Sequence, residues 1–225
     1  MSQKKAPQVT GTLRKFALRI PTPIYEARGI EIFGKNIRSV LFSTDVSIIA
    51  NVNADAVIAV YPFTPQPRIT SAVMTVADIP VFSGVGGGLT QGKRVVNLAM
   101  FAEMQGAIGV VVNAPTSDEV IEMVAGTIDI PVVVTIVNDN VDLNARISAG
   151  AAIFNVSAAS DTPRIVAWIR KTHPDFPVIA TGGGSEDTIR ATISAGADAV
   201  TWTPPSSGEV FRGIMQAYRD NKPHP

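Results

Sequence analysis

The sequence predicts an α/β protein in which eight parallel strands, each followed by a helix, close into one barrel, and three observations support this fold class. Apolar runs rich in β-branched residues recur along the chain. Four of the runs follow a turn of small residues, as at Ala195-Gly196-Ala197, and three begin next to a proline, as at Pro131. The spacing between runs matches a strand plus a crossover helix. Eight such units indicate a single (β/α)8 barrel, or TIM barrel, whose active site lies at the carboxyl ends of the strands.

The individual elements follow from the runs and from helix-start signals between them. The expected strands span residues 37–44, 53–60, 79–84, 105–112, 130–135, 149–156, 176–181 and 195–202. Short helices are expected near 45–52 and 69–76, and a long one near 90–105. The later helices are expected to begin at a capping box over 116–119, at Asp139 or Asn140, at Asp161 before Pro163, at Ser185, and at a capping box over 206–209.

The composition describes one globular unit. The chain has 225 residues, of which 46% are apolar and 17% are charged, so it can bury one sizeable core. We expect residues 1–36 to form an N-terminal extension, with a leader up to about residue 22 and a hairpin near 29–36 that closes the N-terminal mouth. Residues 37–225 are expected to form the barrel.

Charge and residue usage exclude several classes of function. Nineteen basic residues balance 19 acidic ones, so no overall field favours nucleic acid or anionic membranes as partners. No apolar run approaches the roughly 20 residues that span a bilayer. The polar first residues are not followed by the apolar segment of a signal peptide. A cytoplasmic location is therefore expected. The absence of cysteine excludes disulfides and thiolate chemistry, and no metal site is expected.

The expected strand ends are rich in hydroxyls and amides and poor in ionisable groups. Asp45 is the single carboxylate just past a strand, so it is the candidate general base, with capping of the first helix as the alternative role. Asn113, Thr135 and Asn155 are candidates for orienting a substrate. No lysine stands at a strand end, which disfavours a Schiff-base aldolase. The two histidines, His173 and His224, lie in a turn at the other end and in the tail.

A glycine-rich segment after the seventh strand is the strongest indication of a ligand. Gly182, Gly183 and Gly184 lead directly into a helix, where free backbone N–H groups bind anions. Phosphate often binds in the loops after the seventh and eighth strands of a barrel. The alternative is a tight turn before a capped helix, with nothing bound.

Residues 176–183 and 193–200 resemble the last quarter of the barrels of the ribulose-phosphate-binding group, such as thiamine phosphate synthase and the flavin-phosphate barrels. The resemblance implies that Gly182, Gly183 and Gly184 hold a phosphate. The eighth strand departs from that pattern, because two prolines follow it and lack N–H donors. The donors there would then come from Ser206, Ser207 or Gly208, or this half of the site is missing. The whole chain resembles a small uncharacterised bacterial barrel family that is sometimes labelled "hydrolase".

A second glycine-rich segment, residues 83–94, follows the third strand. Gly87, Gly92 and Lys93 match a P-loop, but Arg94 replaces the serine or threonine that would hold Mg²⁺, and a P-loop belongs on an open sheet. A lid over the site is the preferred hypothesis, with an ordinary loop as the alternative. The substrate and lid candidates are Tyr61, Arg68, Gly86, Gly87, Lys93 and Arg94.

These observations favour an enzyme of the lyase, isomerase or transferase type that acts on a small phosphorylated metabolite. The alternatives are an FMN-dependent oxidoreductase, a non-catalytic sensor or scaffold, and a hydrolase of unknown substrate. A phosphorylated small molecule is the expected partner, FMN is the cofactor of the oxidoreductase alternative, and a homodimer is compatible with the short surface helices.

Overall fold

A computed structural model of the chain describes residues 18–223 and, before them, residues 7, 9 and 11. Most of the expected leader and His224 therefore lie outside the described residues. Within the described part of the chain, no helix is both long and apolar enough to cross a membrane.

Eight parallel strands close into a barrel, so the predicted fold class is confirmed. They are β3 (Ser39–Phe42), β4 (Ala56–Ala59), β5 (Val81–Gly86), β6 (Gly109–Val112), β7 (Val132–Ile136), β8 (Ala151–Val156), β9 (Val178–Thr181) and β10 (Ala199–Trp202). Each strand pairs with its neighbours in sequence, and β10 pairs with β3 to complete the ring. Before them, β1 (Ile30–Ile32) and β2 (Lys35–Ile37) form an antiparallel hairpin, as expected for this segment.

Helices on the outside connect the strands. They are α1 (Val46–Ile49), α2 (Pro67–Val76), α3 (Lys93–Met104), α4 (Asp118–Ala125), α5 (Leu143–Ser148), α6 (Thr162–Thr172), α7 (Glu186–Ser194) and α8 (Ser207–Arg219). Two short 3-10 helices span Thr22–Glu26 and Ala159–Asp161. The short α1 and the long α3 agree with the spacing of the sequence.

Two of the predicted helix starts are wrong. Ser117, not Thr116, occupies the position before α4, and its side chain makes no capping bond, so the expected box over 116–119 is absent. α5 begins after Asp142, whose carboxylate accepts the Ala145 N–H at 3.1 Å. Asp139 is instead held by an ion pair with Arg164 at 2.6 Å. Each error arises because several residues that can cap a helix stand within one loop.

The other starts agree with prediction. Ser185 caps α7 in a reciprocal box with Thr188, and Ser206 caps α8 in a box with Glu209. α6 begins directly after Asp161, with a proline in its first turn.

The barrel interior is apolar up to its open end. One buried cluster contains the inward-facing residues Val40, Ala56, Ile58, Phe82, Val111, Val133, Ile153, Ile179 and Ala199, together with Ile108 and with Ile30, Ile32 and Ile37 of the hairpin. The hairpin thus packs against the N-terminal ends of the strands. The carboxyl end is left as the accessible end of the barrel.

An ion network fixes the N-terminal end. Asp198, only 3% exposed, immediately precedes β10. Its carboxylate accepts hydrogen bonds from Arg28 at 2.7 Å, from Arg170 of α6 at 2.6 Å, and from the Val178 N–H at 2.9 Å. The network joins the N-terminal extension, a helix and two strands at the end opposite the expected site.

Candidate functional site

The inward-facing positions at the carboxyl end of the barrel are uncharged. Because side chains alternate along a strand, the residue two positions after each interior core residue points into the barrel mouth. These positions are Phe42, Val60 and Gly84 on the first three barrel strands, and Asn113, Thr135, Asn155, Thr181 and Thr201 at the ends of the other five. The last five residues form what we call the polar arc. The arc contains three residues predicted for the site and no ionisable side chain.

The polar arc has hydrogen-bonding capacity that the protein itself does not use. Asn155 donates to the Thr135 hydroxyl at a long 3.4 Å. The Thr201 hydroxyl is buried, with the residue 5% exposed, and has no partner among the described residues. An unpartnered buried hydroxyl costs free energy, and such groups are rare unless a ligand or water satisfies them. The arc can therefore accept a polar ligand without losing internal bonds.

Two adjoining cavities, of about 260 and 640 Å³, open at this mouth and share Val60, Tyr61, Pro62 and Asn113. The smaller lies between the loop after β4 and the glycine-rich loop after β5, and the larger extends towards Asp45 and Ser206. The structure therefore brings Asp45, Tyr61, Asn113, Gly86 and Gly87 of the predicted set to one mouth. The volumes suit a small metabolite.

Asp45 is engaged as the cap of α1. Its carboxylate accepts the Ser47 N–H at 2.9 Å, the Ser47 hydroxyl at 2.7 Å and the Ile48 N–H at 3.3 Å. A hydrogen bond from the Ser207 side chain contributes most to a pKa of about 2, and these bonds to Ser47 and Ile48 add to it. The group is thus ionised at neutral pH and is a weak base in this arrangement.

The predicted phosphate loop is only partly free. The Gly182 N–H donates to the Thr201 carbonyl at 3.0 Å, and a side chain at 182 would collide with Val200. The N–H groups of Gly183 and Gly184 make no hydrogen bond to any described residue. Gly183 has φ +76°, a conformation that glycine adopts without strain. Two of the three predicted glycine donors are therefore available, beside the Thr181 and Thr201 end of the arc.

Of the two serines expected as donors after the eighth strand, Ser206 is occupied. Ser206 gives its N–H to the Glu209 carboxylate at 2.8 Å and its hydroxyl to the same oxygen at 2.7 Å. These two bonds hold the pKa of Glu209 below its usual range. Ser206 therefore offers no free donor, whereas the Ser207 N–H at the start of α8, like the N–H groups of Gly183 and Gly184, makes no hydrogen bond to any described residue.

The cationic lid residues do not reach the mouth. Lys93 begins α3 and lines an outer groove with Glu122 and Met123 of α4. Arg68 and Arg94 are exposed and line neither of the two mouth cavities. Tyr61 does line both, and its hydroxyl accepts the Gln66 N–H at 2.8 Å.

The glycine-rich loop after β5 forms a turn that is held by a backbone hydrogen bond and by close packing. The Gly87 N–H donates to the Thr90 carbonyl at 2.9 Å, and a Cβ at 87 would lie 2.6 Å from the Asn113 Cβ. At the tip, Leu89 is 97% exposed beside the mouth.

Sequence reasoning left several mouth residues out of the predicted site. Thr181, Thr201, Phe42, Phe63 and Leu89 all stand at the strand ends or in the loops of the mouth. Thr181 and Thr201 are among the hydroxyls at the expected strand ends but were not taken into the predicted site, and extending the two-residue alternation past each apolar strand core would have added Phe42. Among the described residues, no three His, Asp or Glu side chains converge as a metal site would need. His173 bonds Asn144 at 3.1 Å, in the turn between α6 and β9.

Comparison with known proteins supports the fold. No protein-family model matches the chain, and no curated protein matches it. A phosphonopyruvate hydrolase structure aligns with a TM-score of 0.66 at 12% identity, over 85% of each chain. Phosphoenolpyruvate phosphomutase from Streptomyces platensis subsp. rosaceus gives 0.61 at 14% identity, over 88% of this chain and 86% of the other. Dihydrodipicolinate synthase from Bacillus anthracis gives 0.57 at 16% identity, over 81% and 76%. These similarities confirm the barrel, while the resemblance to ribulose-phosphate-binding barrels stays a prediction.

Proposed function

We propose that this barrel is an enzyme of the lyase, isomerase or transferase type that binds a small phosphorylated metabolite at its carboxyl end. One observation carries the proposal: the N–H groups of Gly183 and Gly184 are unused, and the preceding Gly182 N–H ties this loop to the carbonyl of Thr201, whose buried hydroxyl is also unused. Backbone N–H groups at the start of a helix bind phosphate. Two of the similar barrels are named for phosphorus-containing compounds, which favours the same ligand class.

Roles for the other residues follow from their positions. Asn113, Thr135 and Asn155 orient the organic part of the substrate through neutral hydrogen bonds. Asp45 is the proposed proton acceptor, and it needs activation because its pKa is about 2. A substrate group that displaces the Ser207 hydroxyl would remove the main cause of that low pKa. Binding and activation of the base would then be coupled.

A second candidate, a non-catalytic sensor, is favoured by the polar arc itself. The inward-facing positions hold no acid, base or nucleophilic lysine. Their amides and hydroxyls can bind a ligand but cannot transfer its protons or attack it. A sensor would bind the same ligand and release it unchanged.

The proposal is tested by calorimetric titration with inorganic phosphate, a panel of phosphorylated metabolites that includes FMN, and their unphosphorylated counterparts. The decisive variants are Gly184→Asp and Gly184→Asn, because position 184 has no neighbouring atom within 4 Å of an added Cβ. The aspartate places a negative charge beside the anion, whereas asparagine has the same shape without charge. We expect Gly184→Asp to weaken phosphate-ester binding about tenfold or more, and Gly184→Asn to weaken it much less.

Equal affinity in both variants would reject the phosphate loop. For any ester that binds, ³¹P NMR after incubation separates the two candidates. New resonances that disappear in Asp45→Asn support the enzyme, and an unchanged ester supports the sensor. Uptake of FMN with a visible flavin spectrum would favour the oxidoreductase instead.

A further inference from the structure

The mouth of the barrel has two chemically different sides. The polar arc occupies the side formed by β6 to β10. On the side of β3 to β5, Phe42 is 39% exposed and lines the larger cavity, Phe63 is 74% exposed and lines the smaller one, and Tyr61 lines both. Gly84 and Gly86 line the smaller cavity with backbone alone. A flat ligand surface can lie against such a wall.

The charges that line the two cavities disfavour a further negative charge on the organic part of a ligand. Asp45 and Glu209 are the only charged side chains among the described residues that line either cavity, and both are acidic. No lysine or arginine within the described ranges lines them. A carboxylate in the mouth would lose its water and meet no cation, which costs free energy.

The Thr201 hydroxyl is an unsatisfied polar group behind the mouth, although Thr201 itself is not among the described residues that line either cavity. It is buried and without a partner among the described residues, and it faces inward beside Val40 and Thr181. A neutral donor or acceptor at the edge of a ligand would satisfy it together with Asn113, whose side-chain amide makes no hydrogen bond to described residues.

From these features we infer that the organic part of the substrate is an uncharged planar ring with an amide-like or hydroxyl edge. The edge meets the polar arc, and the ring lies against Phe42, Tyr61 and Phe63. The inference rests on the proposed phosphate ester as ligand, and it assigns Thr201 and Phe63 as residues that determine specificity.

Three probes of nearly equal shape test the inference: benzyl phosphate, 4-carbamoylbenzyl phosphate and 4-carboxybenzyl phosphate, measured by calorimetry beside inorganic phosphate. We expect the carbamoyl ester to bind about tenfold or more tightly than the carboxy ester, because only the latter brings a charge to a mouth without cations. Benzyl phosphate should bind more tightly than inorganic phosphate, because its ring covers the exposed aromatic wall.

Two variants with matched controls assign the contacts. Phe63→Ala should reduce the advantage of benzyl phosphate over inorganic phosphate several-fold. Phe33→Ala, at a similarly exposed residue of the hairpin, should leave it unchanged. Thr201→Val should remove most of the preference for the carbamoyl ester. Its thermal unfolding temperature should not fall, because no internal bond is lost.

The outcomes separate this inference from the proposed function. If all esters bind equally well and as tightly as inorganic phosphate, the ring site is rejected while the phosphate loop stands. If the carboxy ester binds best, the neutral edge is rejected. If no phosphate binds but benzamide is still preferred to benzoate in ligand-observed NMR, the proposed phosphate site fails and the neutral ring site stands. If neither the phosphate esters nor benzamide and benzoate bind, both the phosphate site and the neutral ring site are rejected.

Discussion

At the scale of single residues, Asp45 shows how one carboxylate can serve two roles whose requirements conflict. A helix cap is best when the carboxylate is ionised and fully hydrogen-bonded, and α1 provides two N–H donors for it. A general base is best when its pKa lies near the working pH. Ser207 is the first residue of α8, and its hydroxyl contributes most to the low pKa of Asp45, which favours the ionised, capping state. Losing the Ser207 side chain would therefore shift Asp45 towards the second state, while the bonds from Ser47 and Ile48 keep it in the first.

We predict that Ser207→Ala raises the pKa of Asp45 from about 2 towards its usual value of 3.8. The folded-state pKa of Asp45 lies below the unfolded value, so its contribution to stability is complete above about pH 4 and is lost as the pH falls to about 2. The variant should therefore be less stable than the wild type at pH 7, with a difference that shrinks between pH 4 and 2. Carboxyl ¹³C NMR titration and urea unfolding across this range measure both effects.

Asp139 provides the internal reference in the same titration. Its pKa is lowered by the hydrogen bond from Arg164 on α6, so it should not change in the variant. An unaltered Asp45 titration in Ser207→Ala would show that the α1 donors alone set the low pKa.

At the scale of elements, the loop between β5 and α3 is fixed by glycines with different requirements. Gly87 has φ +103° and no room for a Cβ, whereas Gly88 has φ +68° and no atom within 4 Å of an added Cβ. We predict that Gly88→Ala costs about 1 kcal/mol of unfolding free energy from backbone strain alone. Gly87→Ala should cost about 3 kcal/mol, because it also overlaps Asn113. Urea denaturation compares the two.

The same pair tests whether this segment is a lid. A segment that opens freely would tolerate both changes alike. If the segment is instead a fixed turn, as in this structure, only Gly87→Ala should lower ligand affinity, because the added methyl group displaces Asn113. Similar costs and similar affinities in the two variants would contradict the structural role assigned to Gly87.

The helix starts show what local sequence can predict about an element. Ser185 and Ser206 each stand alone before their helix, with a suitable partner three residues later, so one capping box is available and it forms. Before α4, Thr116 and Ser117 compete, and before α5, Asp139, Asn140 and Asp142 compete. Packing against other elements decides between such neighbours, as the ion pair from α6 does for Asp139. That information is not local and could not be obtained from the loop sequence.

At the scale of the whole molecule, the strand pattern predicted the barrel and therefore the end at which Asp45, Asn113, Thr135 and Asn155 lie. It could not predict which loop cations turn inward, because the direction of a side chain after a strand depends on the loop backbone. Lys93 was expected over the mouth and instead faces Glu122 on the outer surface. The two-residue alternation predicts that Thr201 faces inward. That its hydroxyl has no partner depends on how β3 and β9 pack beside it, which the sequence pattern does not predict.

The two ends of the barrel divide stability from binding, and Asp198 tests this division. Asp198→Ala leaves Arg170, whose side chain is 15% exposed, without its carboxylate partner at the N-terminal end. Breaking a buried ion pair in this way should lower the unfolding free energy by about 3 kcal/mol. Removing the exposed partner of Arg164 with Asp139→Ala should cost at most about 1 kcal/mol. Urea unfolding at pH 7 measures both.

The ligand affinity of folded Asp198→Ala tests whether the N-terminal end of the barrel contributes to binding. The network joins Arg28 of the extension to α6, β9 and β10, but it touches no residue of the polar arc or of the β9–α7 loop. We therefore expect the folded variant to bind phosphate esters as the wild type does, although it unfolds at lower urea. A variant that stays folded and binds tenfold more weakly would show that the N-terminal end also shapes the mouth. The ends of β9 and β10 would then be the route of that coupling, because both strands run from Asp198 to the glycine loop and Thr201.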